Sequence, residues 1–152
     1  GGRLLRVAAG GSQALATGLA EPVALAWERP GVVLVAEAAA GRILRVVLAD
    51  GARSTVVEGL RRPNALATLP DGRIVVVEQA TGQVLAIDPR SSVRTLLASG
   101  LALSLEGLDL PQNTNGGVAV GPDGAILVSC PGDNSIVRIT PRKRAPRGGN
   151  DT

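Results

Sequence analysis

Three observations in this sequence predict an all-β fold, a β-propeller of four-stranded antiparallel blades. Short β-branched runs lie between turn clusters, several landmark segments recur at one fixed spacing, and period-3.6 apolar stripes of amphipathic helices are absent. The segment Gly18-Leu19-Ala20-Glu21-Pro22 returns as Gly59-Leu60-Arg61-Arg62-Pro63, an offset of 41 residues. Gly31 to Glu37 returns as Gly72 to Glu78, and Gly41 to Val46 as Gly82 to Ile87, both again at 41. A third copy follows at an offset of 52, with Gly124 to Val128 and then Asn134 to Ile139. A period near 40 with four strands per unit is that of a propeller blade.

The second unit shows the strand pattern. Strand a is expected near Ala65 to Leu69, with a turn at Pro70-Asp71-Gly72, and strand b near Arg73 to Glu78. Strand c follows over Gln83 to Ile87 and strand d over Val93 to Ala98. In Pro-Asp-Gly, proline presets φ, aspartate bonds its own backbone and glycine takes the positive φ. Upstream, Leu4 to Val7 matches strand c and Gln13 to Ala16 strand d. The expected organisation is a half blade over 1–17, blades over 18–58 and 59–98, a connection with an insertion over 99–115, an incomplete blade of strands a, b and c over 116–141, and a basic disordered tail over 142–152. About three and a half blades leave sheet edges open, whereas propellers close with about 4 to 8. The expectation is therefore part of a six-bladed ring, either as the C-terminal half of a longer propeller or as one protomer of a ring closed between chains.

Composition bounds the chemistry. Of the 152 residues 45% are apolar, with no Phe or Tyr and only Trp27, so the core is aliphatic. Stacking on nucleic-acid bases or sugars needs aromatic platforms, and nucleic acid is not an expected partner. The formal charge is +3, with Arg142, Lys143, Arg144 and Arg147 gathered in the tail. Histidine is absent, which removes Ser-His-Asp and Cys-His catalysis and His-ligated zinc within the chain. Cys130 is the single cysteine, so no intrachain disulfide forms. It occupies the station of Glu37 and Glu78 and reads as a small buried residue rather than a reactive thiol. The two glutamates are expected to cap the b–c turns or bond neighbouring backbone. No apolar stretch approaches the roughly 20 residues of a membrane span.

The segment Pro63-Asn64-Ala65-Leu66-Ala67, followed by Leu69-Pro70-Asp71-Gly72 and Val75-Val76-Val77-Glu78, resembles the blade of gluconolactonase/regucalcin-like and strictosidine-synthase-like proteins. Gly117 to Val128, then Asp133 to Ile139, resembles an NHL repeat. The resemblance covers residues 2 to 141. It implies the blade fold, and it favours a secreted or periplasmic location, which the residues themselves leave unknown. Enzymatic members of the clan hold calcium or another divalent metal in the central channel, on oxygen ligands near the starts of successive strands a. The Asn of the family's motif maps to Asn64, and the flanking stations are Val23 and Gly116, which bring no ligand. Asn115 lies one residue, and Glu21 two residues, out of register. For Asn64 the alternative is a structural one, a side chain that bonds backbone and starts the strand.

The 11-residue insertion from Leu103 to Asn113 carries Glu106, Asp109, Gln112 and Asn113 and is the candidate binding loop. The leading functional expectation is a non-catalytic NHL-like scaffold, without cofactor, binding a protein or small molecule through loops on the top face of the ring. One alternative is a metal-dependent lactonase or esterase of the gluconolactonase class, with calcium or another divalent metal on Asn64 and Asn115. The other is an inert structural module of a larger extracellular assembly. The remaining half of the propeller, from the same longer chain or another protomer, is the further expected partner.

Overall fold

The computed structural model describes residues 1–104 and 116–140. Their strands are β1 (Gly2–Ala8), β2 (Gly11–Leu19), β3 (Pro22–Arg29), β4 (Val32–Glu37), β5 (Arg42–Val47), β6 (Arg53–Val57), β7 (Pro63–Thr68), β8 (Ile74–Glu78), β9 (Gln83–Ile87), β10 (Arg94–Ala98), β11 (Val118–Val120), β12 (Ile126–Cys130) and β13 (Ser135–Ile139). Two antiparallel sheets have four strands each, in the orders β3-β4-β5-β6 and β7-β8-β9-β10. They are flanked by the β1-β2 pair and by the sheet β11-β12-β13. Among the described residues there is no helix long and apolar enough to cross a membrane.

Strand order follows chain order in each sheet because every connection is a short turn. At Pro70-Asp71-Gly72, the Gly72 N–H donates to the Leu69 carbonyl (2.9 Å) with φ at +85°, a value that favours glycine. The Arg73 N–H donates to Asp71 Oδ1 (3.1 Å), which takes it out of the ladder. Strand β8 therefore begins at Ile74 rather than at Arg73. At the end away from this turn, β7 begins at Pro63 and not at Ala65, because Pro63 pairs with Glu78.

The central strands β4, β5, β8 and β9 bury both faces, since their sheets pack on both sides. Leu34, Ala36 and Ile43 project toward the next sheet and pack with Leu66, Ile74, Val76, Leu85 and Ile87. On the opposite face, Val33, Val35, Leu44 and Val46 pack against Ala16 and Leu19 of β2. One repeat later, Val75, Val77, Val84 and Ala86 meet Ile126, Val128 and Cys130. Completely burying an aliphatic side chain of this size contributes about 1.5–3 kcal/mol, so these three layers hold the sheets face to face. At the last sheet the pattern stops. Leu127 occupies the station of Leu34 and Val75, yet it is 44% exposed where they are fully buried. In the sheets that begin with β3, β7 and β11 the first strand is innermost, and β7 lies beside both β3 and β11. Their starts converge on one end of the assembly.

Candidate channel-mouth site

The site is built where the inner strands begin. In β3 the ladder bulges between Pro22 and Ala24, and in β7 between Pro63 and Ala65. Proline has no N–H to give the ladder, and each bulge sets one residue, Val23 or Asn64, outside the regular pairing. Asn64 is buried, at 3% exposure, and among the described residues neither Nδ2 nor Oδ1 has a hydrogen-bond partner. Strand β7 does start at Pro63-Asn64, but among the described residues the Asn64 side chain bonds no backbone. A buried polar group left unpaired costs about 1–3 kcal/mol. Gly116 stands opposite, and a Cβ there would lie 3.9 Å from Asn64 Nδ2 and 3.0 Å from the Ser129 carbonyl oxygen.

The residues just before these strands are strained and charged. Glu21 and Arg62, one repeat apart, both have positive φ, at +55° and +51°. For a side chain other than glycine this costs about 1–2 kcal/mol each. Backbone pairing holds them there: the Ala38 N–H donates to the Glu21 carbonyl (3.0 Å) and the Gln79 N–H to that of Arg62 (3.1 Å). Arg62 Nη2 reaches Glu21 Oε1 across the two blades at 3.1 Å. Glu21 thus pairs one carboxylate oxygen with a neighbouring blade. Opposite charges at one repeat station were the available signal for this pair, and reading the repeat only for similarity passes over it.

Behind the mouth, two buried carboxylates fasten each inner strand to its neighbours. Glu37 Oε1 accepts from the Ala20 N–H (2.6 Å), and its other oxygen accepts from Arg42 Nε. The hydrogen bond to Glu37 raises the Arg42 pKa above its ordinary value, against a smaller opposing effect of desolvation. In the next blade Glu78 Oε1 accepts from the Arg61 N–H (2.7 Å) and Oε2 from Thr81 Oγ1 (2.9 Å). The two glutamates thus do both things expected of them, bonding backbone ahead of strand a and a side chain near the b–c turn. Cys130, at the third station, is buried and unbridged.

Among the described residues this station supplies few metal-type donors. Asn64 offers one neutral oxygen, while Val23 and Gly116 offer no side-chain oxygen. Among the described residues no group of three or more Asp, Glu, His or Cys side chains converges. Asn115 and the loop residues Glu106, Asp109, Gln112 and Asn113 lie outside the described residues, as does the basic tail.

No known family profile matches the chain, and no curated protein matches it in sequence. Solved structures do match. A gluconolactonase from Xanthomonas campestris superposes with a TM-score of 0.65 at 18% identity, over 84% of this chain and 46% of that one. A virginiamycin B lyase from Staphylococcus aureus gives 0.64 at 13%, over 93% and 50%. An auxiliary nutrient binding protein from Bacteroides ovatus gives 0.63 at 15%, over 84% and 30%. The fold is a β-propeller. At these identities the likeness establishes the propeller architecture alone. This chain spans about half the length of the first two structures it matches, so the described sheets correspond to part of a propeller.

Proposed function

We propose that the chain is part of a non-catalytic propeller scaffold whose ligand is held at the channel mouth, with the Asn64 amide as its polar anchor. The observation that carries this reading is the buried, unpartnered amide. A group that costs stability in the isolated fold gains most when a ligand supplies its missing donor and acceptor. The ligand class that fits is a small molecule or protein segment presenting an amide or hydroxyl, because Asn64 needs one donor and one acceptor together. The strained Glu21 and Arg62 beside it agree with a mouth shaped for binding. The insertion residues Glu106, Asp109, Gln112 and Asn113 precede the third inner strand in sequence and are the loop we assign to ligand contact. The remainder of the ring is the structural partner.

Substitution of Asn64 by leucine tests the anchor without a known ligand. Removing both unpaired groups while keeping the volume is expected to leave stability unchanged or raise it by about 1 kcal/mol in urea unfolding. A loss above about 2 kcal/mol would mean that the fold itself uses the amide. A second reading, a metal-dependent lactone or ester hydrolase, draws support from the likeness to gluconolactonase and from the position of Asn64. Calorimetric titration of the native protein with calcium chloride and zinc chloride separates the two. Tight binding lost in Asn64→Ala favours the hydrolase, and no binding favours the scaffold.

A further inference from the structure

At the ends away from the channel mouth, the inner strands β3 and β7 bound a cleft between the two four-stranded sheets. Its volume is about 520 Å³, and Trp27, Glu28, Arg29, Pro30 and Thr68 line it. The repeat shows how this end departs from its equivalents. The second and third units turn through Thr68-Leu69-Pro70-Asp71-Gly72 and Val120-Gly121-Pro122-Asp123-Gly124, whereas the first has Trp27-Glu28-Arg29-Pro30-Gly31. In those two units the aspartate holds its own turn: Asp71 Oδ1 accepts from the Arg73 N–H (3.1 Å) and Asp123 Oδ1 from the Ala125 N–H (3.1 Å). In the first unit Pro30 stands at that station, and the carboxylate sits two residues earlier, in the cleft, as Glu28. All three turns close on a glycine of positive φ, at +77°, +85° and +77°, so the backbone path does not require the exchange. A local departure from an otherwise kept pattern points to function.

Trp27 is 62% exposed and is the one aromatic residue of the sequence. Beside it, Glu28 Oε2 accepts from Arg45 Nε (2.6 Å) and from Arg29 Nη1 (2.7 Å), and Oε1 accepts from Arg45 Nη2. This network fixes the carboxylate and leaves one net positive charge among the three groups. Among the described residues Arg29 is engaged only through Nη1, and with its side chain 59% exposed it keeps its other N–H donors for a ligand. The opening depends on no further sheet. Thr68, on the opposite wall, is only partly buried although β7 has β3 on one side and β11 on the other.

We infer that this cleft binds a sugar ring carrying a carboxylate, a uronate unit of a saccharide chain. The C–H face of the ring stacks on the electron-rich face of the Trp27 indole. Its carboxylate takes charge-assisted bonds from the unspent donors of Arg29, and its hydroxyls reach the Thr68 hydroxyl and the remaining acceptor capacity of Glu28 Oε1. A cationic ligand finds no unpaired carboxylate here, since both Glu28 oxygens already accept from guanidinium groups. Nucleic acid needs successive stacking platforms, and a single indole supplies one. The volume falls in the range of small-molecule sites, about 300–1,000 Å³. The cleft lies at the other end of the inner strands from Asn64, and the inference is independent of the ligand reading there.

With no Tyr or Phe in the chain, intrinsic fluorescence reads Trp27 alone. Trigalacturonate and the neutral cellotriose are titrated into the native protein and followed by Trp27 emission, with calorimetric titration of the Trp27→Ala and Arg29→Gln variants. The expected result is a saturable emission change with trigalacturonate and an affinity several-fold weaker for cellotriose. Trp27→Ala loses the heat of trigalacturonate binding, and Arg29→Gln falls to the cellotriose level. Both side chains are more than half exposed, so the far-ultraviolet circular dichroism of each variant is expected to match that of the native protein. Should Trp27→Ala not fold, Arg29→Gln carries the test. No saturable change with either sugar overturns the inference. So does equal affinity for the two sugars, binding undiminished in Arg29→Gln, or oligothymidylate bound as tightly as trigalacturonate. None of these readouts involves Asn64, so their failure leaves the channel-mouth reading standing, and the Asn64 tests leave this one standing.

Discussion

Replacing Glu37 with alanine removes a carboxylate that has no solvent exposure and two charge-assisted bonds. The Ala20 N–H loses its acceptor at 2.6 Å and is left with little access to water. Arg42 loses its partner but is 35% exposed, so water recovers most of its solvation. A hydrogen bond to a charged group contributes about 1.5–3 kcal/mol, and the rehydrated arginine keeps the total near its upper end, about 3 kcal/mol. Glu37→Gln retains an acceptor for Ala20 and forfeits the charge, so it is expected to cost about half as much. With a urea slope of about 2 kcal/mol per molar, the midpoint falls by about 1.5 M for alanine and roughly half that for glutamine. Urea unfolding followed by far-ultraviolet circular dichroism reads both. A midpoint shift below about 0.5 M for Glu37→Ala, or an equal shift for both variants, would refute the role assigned to the buried carboxylate.

Two other perturbations follow from the same geometry. Arg45 donates through Nε to Glu28 Oε2 (2.6 Å) and through Nη2 to Oε1, and this hydrogen bonding holds the Glu28 carboxyl below its ordinary pKa. A depressed carboxylate pKa adds stability above the unfolded value and loses it as pH falls through the folded one. Glu28→Gln is thus expected to cost about 1 kcal/mol near neutrality, a difference that closes in acid below the ordinary carboxylate range. A gap that persists unchanged in acid unfolding curves would count against the pair. Gly41 has φ of +61°, and a Cβ there would sit 2.5 Å from the Leu60 carbonyl oxygen, whereas Gly72, at +85°, has open space. Gly72→Ala should cost about 1–2 kcal/mol from backbone strain alone, and Gly41→Ala at least about 1 kcal/mol more, because the bond from the Leu60 N–H to its carbonyl must shift. Equal losses in thermal or urea unfolding would show that the turn does not press on the next blade's connection.

What the residues determined by themselves is local and periodic. The offset of 41 marked equivalent strands, the unbroken β-branched runs in Val32–Glu37 and Ile74–Glu78 marked buried strands, and Pro70-Asp71-Gly72 marked a turn whose three residues each supply one part of its geometry. Strand ends were less legible, because the Asp71 bond that removes Arg73 from the ladder is a choice between two acceptors. Asn64 could be located at the head of an inner strand, yet nothing in Pro63-Asn64-Ala65 reveals that its amide lacks a partner. That depends on a bulge and on Gly116, both set by neighbouring strands and blades. The Glu21–Arg62 pair, the bond from Ala20 to Glu37 and the cleft between β3 and β7 likewise join residues 17 to 41 positions apart or distant strands. Tertiary packing decided these, since whether a polar or apolar side chain is satisfied is a property of what the other blades place against it.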